Sequence, residues 1–214
     1  MDADEFLVSD QPVADVLAAL PATVQTARVR PMEQLAGDGH HFKAFIPNGP
    51  DREKIVNRLY PNYGPHIKGG FLSHVAGKLF ARTDMGGLDV RIHNVFRDGE
   101  MNPNEVELRQ VDLAHCHAKT WDDWLASYRY RLEKGSYRAD LASATPRDAG
   151  GLSLHELFRF IEADSGEDGL RAFYREVAED SDDLRSRLAA EGLLCTHELN
   201  LDKITPHHFP DFTT

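Results

Sequence analysis

Residues 106–134 read VELRQVDLAHCHAKTWDDWLASYRYRLEK and contain both kinds of regular structure. In the half that ends at His117, apolar and polar residues alternate, and this alternation predicts a strand. Across Trp121–Lys134 the large apolar side chains recur at helical spacing, which predicts an amphipathic helix. Gly135 then stands where a C-terminal helix cap belongs. A strand that leads directly into a capped helix is typical of an α/β fold.

The N-terminal part of the chain continues this pattern of strands and helices. Strand-like runs at residues 6–8, 23–30 and 41–46 alternate with helical stretches at 11–20 and 51–59.

Two further segments are read from their turn residues. Residues 31–39 are predicted to form a loop because they contain proline and glycine. The runs 75–82 and 88–96 flank Gly86-Gly87 and predict a hairpin or two neighbouring strands.

The composition changes after the amphipathic helix, and the pattern then becomes helical at 153–163, 169–178 and 182–190. We therefore predict an α/β fold in two parts. Residues 1–141 form a mixed sheet with flanking helices, and residues 152–214 form a helical C-terminal region packed on it.

Composition excludes several classes of function. The net charge of −11 over 214 residues would repel a phosphate backbone, so we expect no nucleic-acid partner. No apolar run is long enough to cross a bilayer, so we expect no transmembrane segment. The acidic N-terminus is unlike a signal peptide, and Cys116 and Cys195 do not suggest a disulfide framework. These features predict a cytoplasmic protein.

The first candidate site is the acidic pair Asp2 and Asp4, at the start of a predicted strand. Two carboxylates one residue apart offer oxygen ligands to a hard divalent cation. A solvated acidic terminus has the same pattern, so the spacing alone does not decide between the two.

The second candidate site follows the predicted strand at its C-terminal end. His115 and His117 point to the same side of an extended strand, which suits a metal or a phosphate. Lys119 stands beside the N-terminus of the next helix, where anions bind readily. Two histidines on a half-exposed strand, without a ligand, are an equally good interpretation.

Together these segments resemble glycosyltransferases of the family 2 type, which have the GT-A fold. Asp2-Ala3-Asp4-Glu5-Phe6-Leu7 resembles the metal-binding DXD motif of that family. A later family segment reads approximately His-Tyr-x-x-Lys-Ser, then a helix with an aromatic residue, then Lys and Arg-Gly. The chain has at these places His115-Cys116-His117-Ala118-Lys119-Thr120, then Trp124, then Arg131 and Lys134-Gly135.

Two segments between these motifs extend the resemblance, which covers roughly residues 1–138 with its motifs in the family's order. Gly77-Lys78-Leu79-Phe80-Ala81-Arg82 and Arg91-Ile92-His93-Asn94 are similar to the family's Lys-x-hydrophobic-x-Arg and Val-His segments. Three positions depart from the later motif, where cysteine replaces tyrosine, threonine replaces serine and lysine replaces the last arginine.

The resemblance implies a metal-dependent transfer of sugar from a nucleotide-sugar donor to a glycan or other acceptor. Asp2, Asp4 and His115 would hold Mn²⁺ or Mg²⁺ on the donor diphosphate, and we expect the three residues to lie close together. The resemblance does not identify a catalytic base.

The same resemblance implies that four further residues bind substrate. His117 would be a late metal ligand or phosphate contact, second to His115, and Lys119 and Arg138 would contact phosphate or acceptor. His93 would line the acceptor side, although a partly buried strand histidine without a ligand is an equally good interpretation.

One departure affects the expected activity. A GT-A domain normally begins with a unit that binds the base and ribose, whereas the resemblance here begins at Asp2. We therefore expect weak donor binding, and we hypothesise that the sequence is truncated at its N-terminus.

Two other functions stay open: a non-catalytic remnant that serves as a binding module, and a metal-dependent hydrolase. A hydrolase would need a water-activating cluster, and no motif such as His-Glu-x-x-His is present.

Overall fold

The computed structural model describes residues 1–134, 146, 148 and 150–210, with the backbone alone at positions 207 and 208. It has a mixed α/β architecture. The strands are β1 (Glu5–Val8), β2 (Thr26–Gln34), β3 (His41–Lys43), β4 (Lys78–Ala81), β5 (Leu88–Val90), β6 (Val95–Arg97), β7 (Glu100–Met101), β8 (Glu105–His115) and β9 (Leu194–Thr196). The helices are α1 (Val13–Ala18), α2 (Arg52–Leu59), α3 (Trp121–Lys134), α4 (Leu154–Val177), α5 (Asp182–Ala190) and α6 (Leu201–His208).

The main sheet is mixed and has the order β1-β8-β2-β3-β9. Strand β2 runs parallel to β8, and the other pairings in this sheet are antiparallel. On its second edge, β2 pairs with β4 along Thr26–Val29 and with β3 at Glu33 and Gln34. A separate small sheet contains β5, β6 and β7.

The predicted hairpin around Gly86-Gly87 is wrong. Strand β4 pairs with β2 and not with β5, while β5 pairs with β6. The tight hairpin forms instead between β6 and β7, where Asp98 and Gly99 have φ angles of 52° and 86°. Two successive residues with positive φ fit the right-handed twist of a two-residue hairpin, and an Asp-Gly pair tolerates that conformation.

The predicted loop at residues 31–39 is also wrong in its first part, because β2 continues to Gln34. Pro31 lies in the strand at the step between the pairing with β4 and the pairing with β3. Within the described residues, neither strand pairs with positions 30–32. The missing N–H of proline is tolerated there for this reason.

Helix α3 has the predicted bounds, and its apolar face is buried as expected. Its main partners are aromatic residues of α4 and not the sheet. The ring of Trp124 lies 5.8 Å from that of Phe158 and 5.9 Å from that of Phe173. Such aromatic contacts join the two parts of the chain in one core.

The C-terminal region is largely helical, but it also contributes a strand to the sheet. The first two predicted helices form α4, whose backbone breaks from helical geometry at Gly166. Strand β9 pairs with β3 through Leu194, Cys195 and Thr196. None of the described helices combines the length and apolar character needed to cross a bilayer.

Candidate metal centre

Four polar side chains form a row across the main sheet. Glu5 of β1 is paired with His115 of β8, His115 with Glu33 of β2, and Glu33 with Lys43 of β3. Residues in direct register point to the same face, so the four side chains lie together. Each residue is at most 5% exposed. We call Glu5, His115, Glu33 and Lys43 the buried polar row.

The Glu33–Lys43 half of this row is an ion pair in which every N–H donor of the lysine has an acceptor. Lys43 Nζ lies 2.7 Å from Glu33 Oε1, 3.3 Å from the Gly70 carbonyl and 3.0 Å from the Val177 carbonyl. An ammonium group has three N–H donors, and each one has an oxygen here. Burial opposes the charge of Lys43, but Glu33 outweighs it and raises the pKa of Lys43.

Glu33 also fixes the loop that covers this face of the sheet. It accepts hydrogen bonds from the backbone N–H groups of Leu72 (3.1 Å) and Ser73 (2.8 Å). Burial opposes ionisation of Glu33, yet the charge and hydrogen bonds of Lys43 lower its pKa to about 2. The ionised carboxylate therefore holds the backbone immediately before His74.

Four imidazole rings gather where this loop meets the ends of the strands. The ring centroid of His74 lies 4.0 Å from that of His93 and 5.5 Å from that of His115. His115 and His117 are 5.2 Å apart. We call these four residues the histidine cluster. Burial is the main reason why the pKa values of His74 and His117 fall to about 4, so both rings are neutral at pH 7.

Asp4 reaches the histidine cluster from the residue before β1. Its Oδ2 lies 3.3 Å from Nε2 of His115. The Asp4 carbonyl accepts a hydrogen bond of 2.9 Å from the N–H of Cys116, which fixes the backbone at this end of the sheet. One ligand atom each from Asp4, His115 and His117 lies within 4.8 Å of the others. A single cation could contact all three.

The contact of His117 with α3 defines which of its ring nitrogens carries the proton. Arg131 Nη1 lies 2.8 Å from Nε2 of His117. A guanidinium can only donate, so this nitrogen accepts and the proton of the neutral ring is on Nδ1. His117 is therefore oriented by Arg131, and Asp4 and His115 are better placed than His117 as metal ligands.

Asp2 is engaged by a cation of the protein. Its carboxylate lies 2.9 Å from Lys78 Nζ, and Lys78 is also 3.2 Å from Glu5 Oε2. The hydrogen bond from Lys78 is the main cause of the lowered pKa of Asp2. The structure thus brings Asp4 to His115, while it places the Asp2 carboxylate on Lys78.

Several buried atoms at this end of the row have no hydrogen-bond partner in the described part of the chain. They are Glu5 Oε1, both ring nitrogens of His74 and Nδ1 of His115. Leaving a buried polar group without a partner costs about 1–3 kcal/mol. One ligand atom each from Glu5, His74 and His115 also lies within 4.8 Å of the others. The carboxylate and imidazole donors therefore fit a divalent metal ion.

A third group of acidic and histidine residues consists of Asp38, His41 and Asp180. It differs from the other two because the Asp180 carboxylate already pairs with an arginine. Asp180 contacts His41 at 2.8 Å and Arg185 at 2.6 Å.

The other predicted substrate-binding residues lie in different places. His93 belongs to the histidine cluster, and its Nδ1 donates to the Gly77 carbonyl at 3.1 Å. Lys119 is exposed and lines a pocket of about 510 Å³ together with Cys116 and Gln34. Cys116 and Gln34 each follow a member of the buried polar row by one residue and so lie on the opposite face of the sheet. Arg138 lies outside the described residues.

Sequence analysis missed Glu5, His74, Lys78 and Arg131 as parts of the centre. Glu5, Lys78 and Arg131 stand inside the segments that carry the family resemblance, so the motifs themselves were a signal for them. His74 stands outside every motif. The only hint at His74 was the high number of histidines, 11 in the chain.

Comparison of the chain with protein-family models, with curated proteins and with solved structures finds no match.

Proposed function

We propose that the chain is the metal-binding part of a glycosyltransferase of the family 2 type with a GT-A-like sheet. In this proposal Asp4 and His115 hold a divalent cation, Mn²⁺ or Mg²⁺, that binds the diphosphate of a nucleotide-sugar donor. The metal would supply positive charge that stabilises the leaving nucleoside diphosphate.

The observation that supports this most is the contact between Asp4 and His115. The two residues are 111 positions apart in the sequence, and each belongs to a segment that resembles a family motif. Pairing of β1 with β8 brings them to 3.3 Å. A carboxylate and an imidazole at this distance suit Mn²⁺ better than Mg²⁺, because Mg²⁺ prefers oxygen ligands alone.

The surroundings of this pair also suit a phosphate-bearing ligand. His117 lies beside His115, and Arg131 donates to His117 from α3. A guanidinium in this position could rotate to form a bidentate pair with a phosphate group. Lys78 adds a second cation near the same end of the sheet, where it pairs with Asp2 and Glu5.

Calorimetric titration of the whole chain with uridine and guanosine diphosphates, with and without Mn²⁺, tests the proposal. We expect weak binding that requires Mn²⁺ and that falls at least about ten-fold further in Asp4→Asn, since a ligand to the metal is lost. Asp98→Asn is the matched control, because Asp98 is an exposed carboxylate in the β6–β7 turn and belongs to neither candidate ligand set.

Release of the nucleoside diphosphate from nucleotide sugars, with and without added glycan acceptors, then separates the functional classes. Acceptor-stimulated release indicates a transferase, and release by water alone indicates a hydrolase. Mn²⁺-dependent binding without turnover would indicate a binding module. A chain that binds neither Mn²⁺ nor the diphosphates would contradict the proposal.

A further inference from the structure

A second set of ligand atoms lies beside the Asp4–His115 pair and differs from it in chemistry. Glu5 and His115 face each other across β1 and β8, and His74 approaches them from the covering loop. His74 Nε2 lies 3.4 Å from Glu5 Oε1, yet the two do not form a hydrogen bond. The carboxylate oxygen of Glu5 and the imidazole nitrogen of His74 are thus close together but not hydrogen-bonded to each other.

Three of the unpartnered atoms at this point can each give a lone pair, because a neutral imidazole has one lone-pair nitrogen and one N–H. Glu5 Oε1, the two nitrogens of His74 and Nδ1 of His115 lack hydrogen-bond partners among the described residues. The side chains of Glu5 and His115 are 0% and 7% exposed, so bulk water does not serve them. A water molecule can donate to two acceptors only, and an anion to none. A cation can accept three lone pairs at once, from Glu5 Oε1, Nδ1 of His115 and one nitrogen of His74, while the other nitrogen of His74 keeps its proton.

The donor set favours one class of cation. Two imidazoles and one carboxylate form the ligand set typical of zinc and its neighbours cobalt and nickel, whereas magnesium and calcium prefer oxygen. Two ligand atoms about 2.1 Å from a tetrahedral zinc ion lie about 3.4 Å apart. The Glu5–His74 separation of 3.4 Å agrees with this geometry before any movement of the side chains.

The neighbours of these ligands hold them in place. Glu5 Oε2 accepts from the backbone N–H of Asp2 at 2.8 Å and lies 3.2 Å from Lys78, which leaves Oε1 for a metal. The ring of His74 lies against that of His93, whose Nδ1 is fixed on the Gly77 carbonyl. Supporting contacts of this kind orient metal ligands in proteins.

We propose that Glu5, His74 and His115 form a site for a zinc-class transition-metal ion, distinct from the Asp4–His115 position and independent of any sugar transfer. The two positions share His115, but Glu5 and His74 belong to this site alone. Variants at these two residues therefore address the new site, and variants at Asp4 address the other.

The test is calorimetric titration of the whole chain, without a histidine tag, with Zn²⁺, and absorption spectroscopy with Co²⁺ as a probe. We expect one tight site per chain and a visible Co²⁺ spectrum of tetrahedral or five-coordinate type. Glu5→Gln and His74→Ala should each weaken Zn²⁺ binding at least about ten-fold. Asp4→Asn should change it by less than about three-fold, because Asp4 is not a ligand here.

His66→Ala is the matched control, since His66 is another half-buried histidine with an unpartnered ring nitrogen. It should leave Zn²⁺ binding unchanged. Circular dichroism without metal verifies that each variant is folded, and Glu5→Gln serves if His74→Ala does not fold. Absence of Zn²⁺ binding by the parent chain, or equal binding by the parent, Glu5→Gln and His74→Ala, would overturn the proposal.

Discussion

The two halves of the buried polar row are equally buried but differ in how their polar atoms are used. In the Glu33–Lys43 half, the lysine has an oxygen for each N–H, and the carboxylate binds the lysine and two backbone N–H groups. In the Glu5–His115 half, Glu5 Oε1 and Nδ1 of His115 have no hydrogen-bond partner among the described residues. We call the Glu33–Lys43 half saturated, because its polar atoms have hydrogen-bond partners, and the Glu5–His115 half unsaturated, because some of its polar atoms have none among the described residues.

This difference separates structural from functional use of buried charge. A saturated ion pair gains nothing from a further ligand, and its removal damages the fold. An unsaturated set of lone pairs costs stability in the free protein and gains it when a ligand binds.

The largest effect is expected for Lys43→Met. The change leaves the carboxylate of Glu33 buried without its cation, which typically costs about 3–5 kcal/mol of unfolding free energy. Urea unfolding followed by circular dichroism measures it. The double variant Glu33→Gln/Lys43→Met removes the buried charge and should recover part of the loss. A single variant as stable as its parent would show that the pair is not structural.

Acid should reduce the contribution of the Glu33–Lys43 pair to the free energy of unfolding. The pKa of Glu33 is about 2 in the folded chain against an ordinary value of 4.5, so the unfolded chain takes up the proton first as pH falls. The stabilising contribution is fully present above about pH 4.5 and is lost as pH falls through 2, and it amounts to about 3 kcal/mol at most. Urea unfolding at about pH 5 and about pH 3 measures the loss, which should be smaller in Glu33→Gln/Lys43→Met.

Zinc should stabilise the chain through the unsaturated half. At a free Zn²⁺ concentration about 100 times the dissociation constant, the unfolding free energy should rise by about 2.7 kcal/mol. Differential scanning calorimetry of the parent, with Glu5→Gln and His66→Ala beside it, measures the gain. We expect it in the parent and His66→Ala only. The same gain in Glu5→Gln would place the ion elsewhere.

The smallest effect is expected for His74→Ala in the absence of metal. The side chain of His74 makes no hydrogen bond with any described residue and is 27% exposed, so the unfolding free energy should change by less than about 1 kcal/mol. A loss comparable to that of Lys43→Met would mean that His74 is a structural residue, and the contrast between the two halves would fail.

The elements that sequence predicted well are those with a local pattern. Helix α3 has the predicted bounds because the helical spacing lies within the segment itself, and its N-terminus is capped locally by the hydrogen bond from the Asp123 N–H to Thr120 Oγ1. The α/β class also followed from local strand and helix patterns, and the structure confirms it. The predicted GT-A likeness, the site residues and the glycosyltransferase function stay predictions.

The buried polar row could not be predicted, because it depends on register between distant strands. Pro31 indicated a loop, and only the step between β4 and β3 allows β2 to continue through it to Glu33. His74 likewise joins the centre through hydrogen bonds between Glu33 and the backbone of its loop. Neither the strand register nor these hydrogen bonds produce a residue pattern that can be recognised in the sequence.

The most direct test of the central claim is crystallography of the whole chain soaked in Zn²⁺, with data on both sides of the zinc absorption edge. The account predicts an anomalous difference peak within about 2.0–2.3 Å of Glu5 Oε1 and of one ring nitrogen each of His74 and His115. The Glu33–Lys43 pair should carry no peak and keep its contacts. Zinc found only at surface histidines, with Glu5 Oε1 and the ring nitrogens of His74 still without a ligand, would contradict the assignment of the unsaturated half as a metal site.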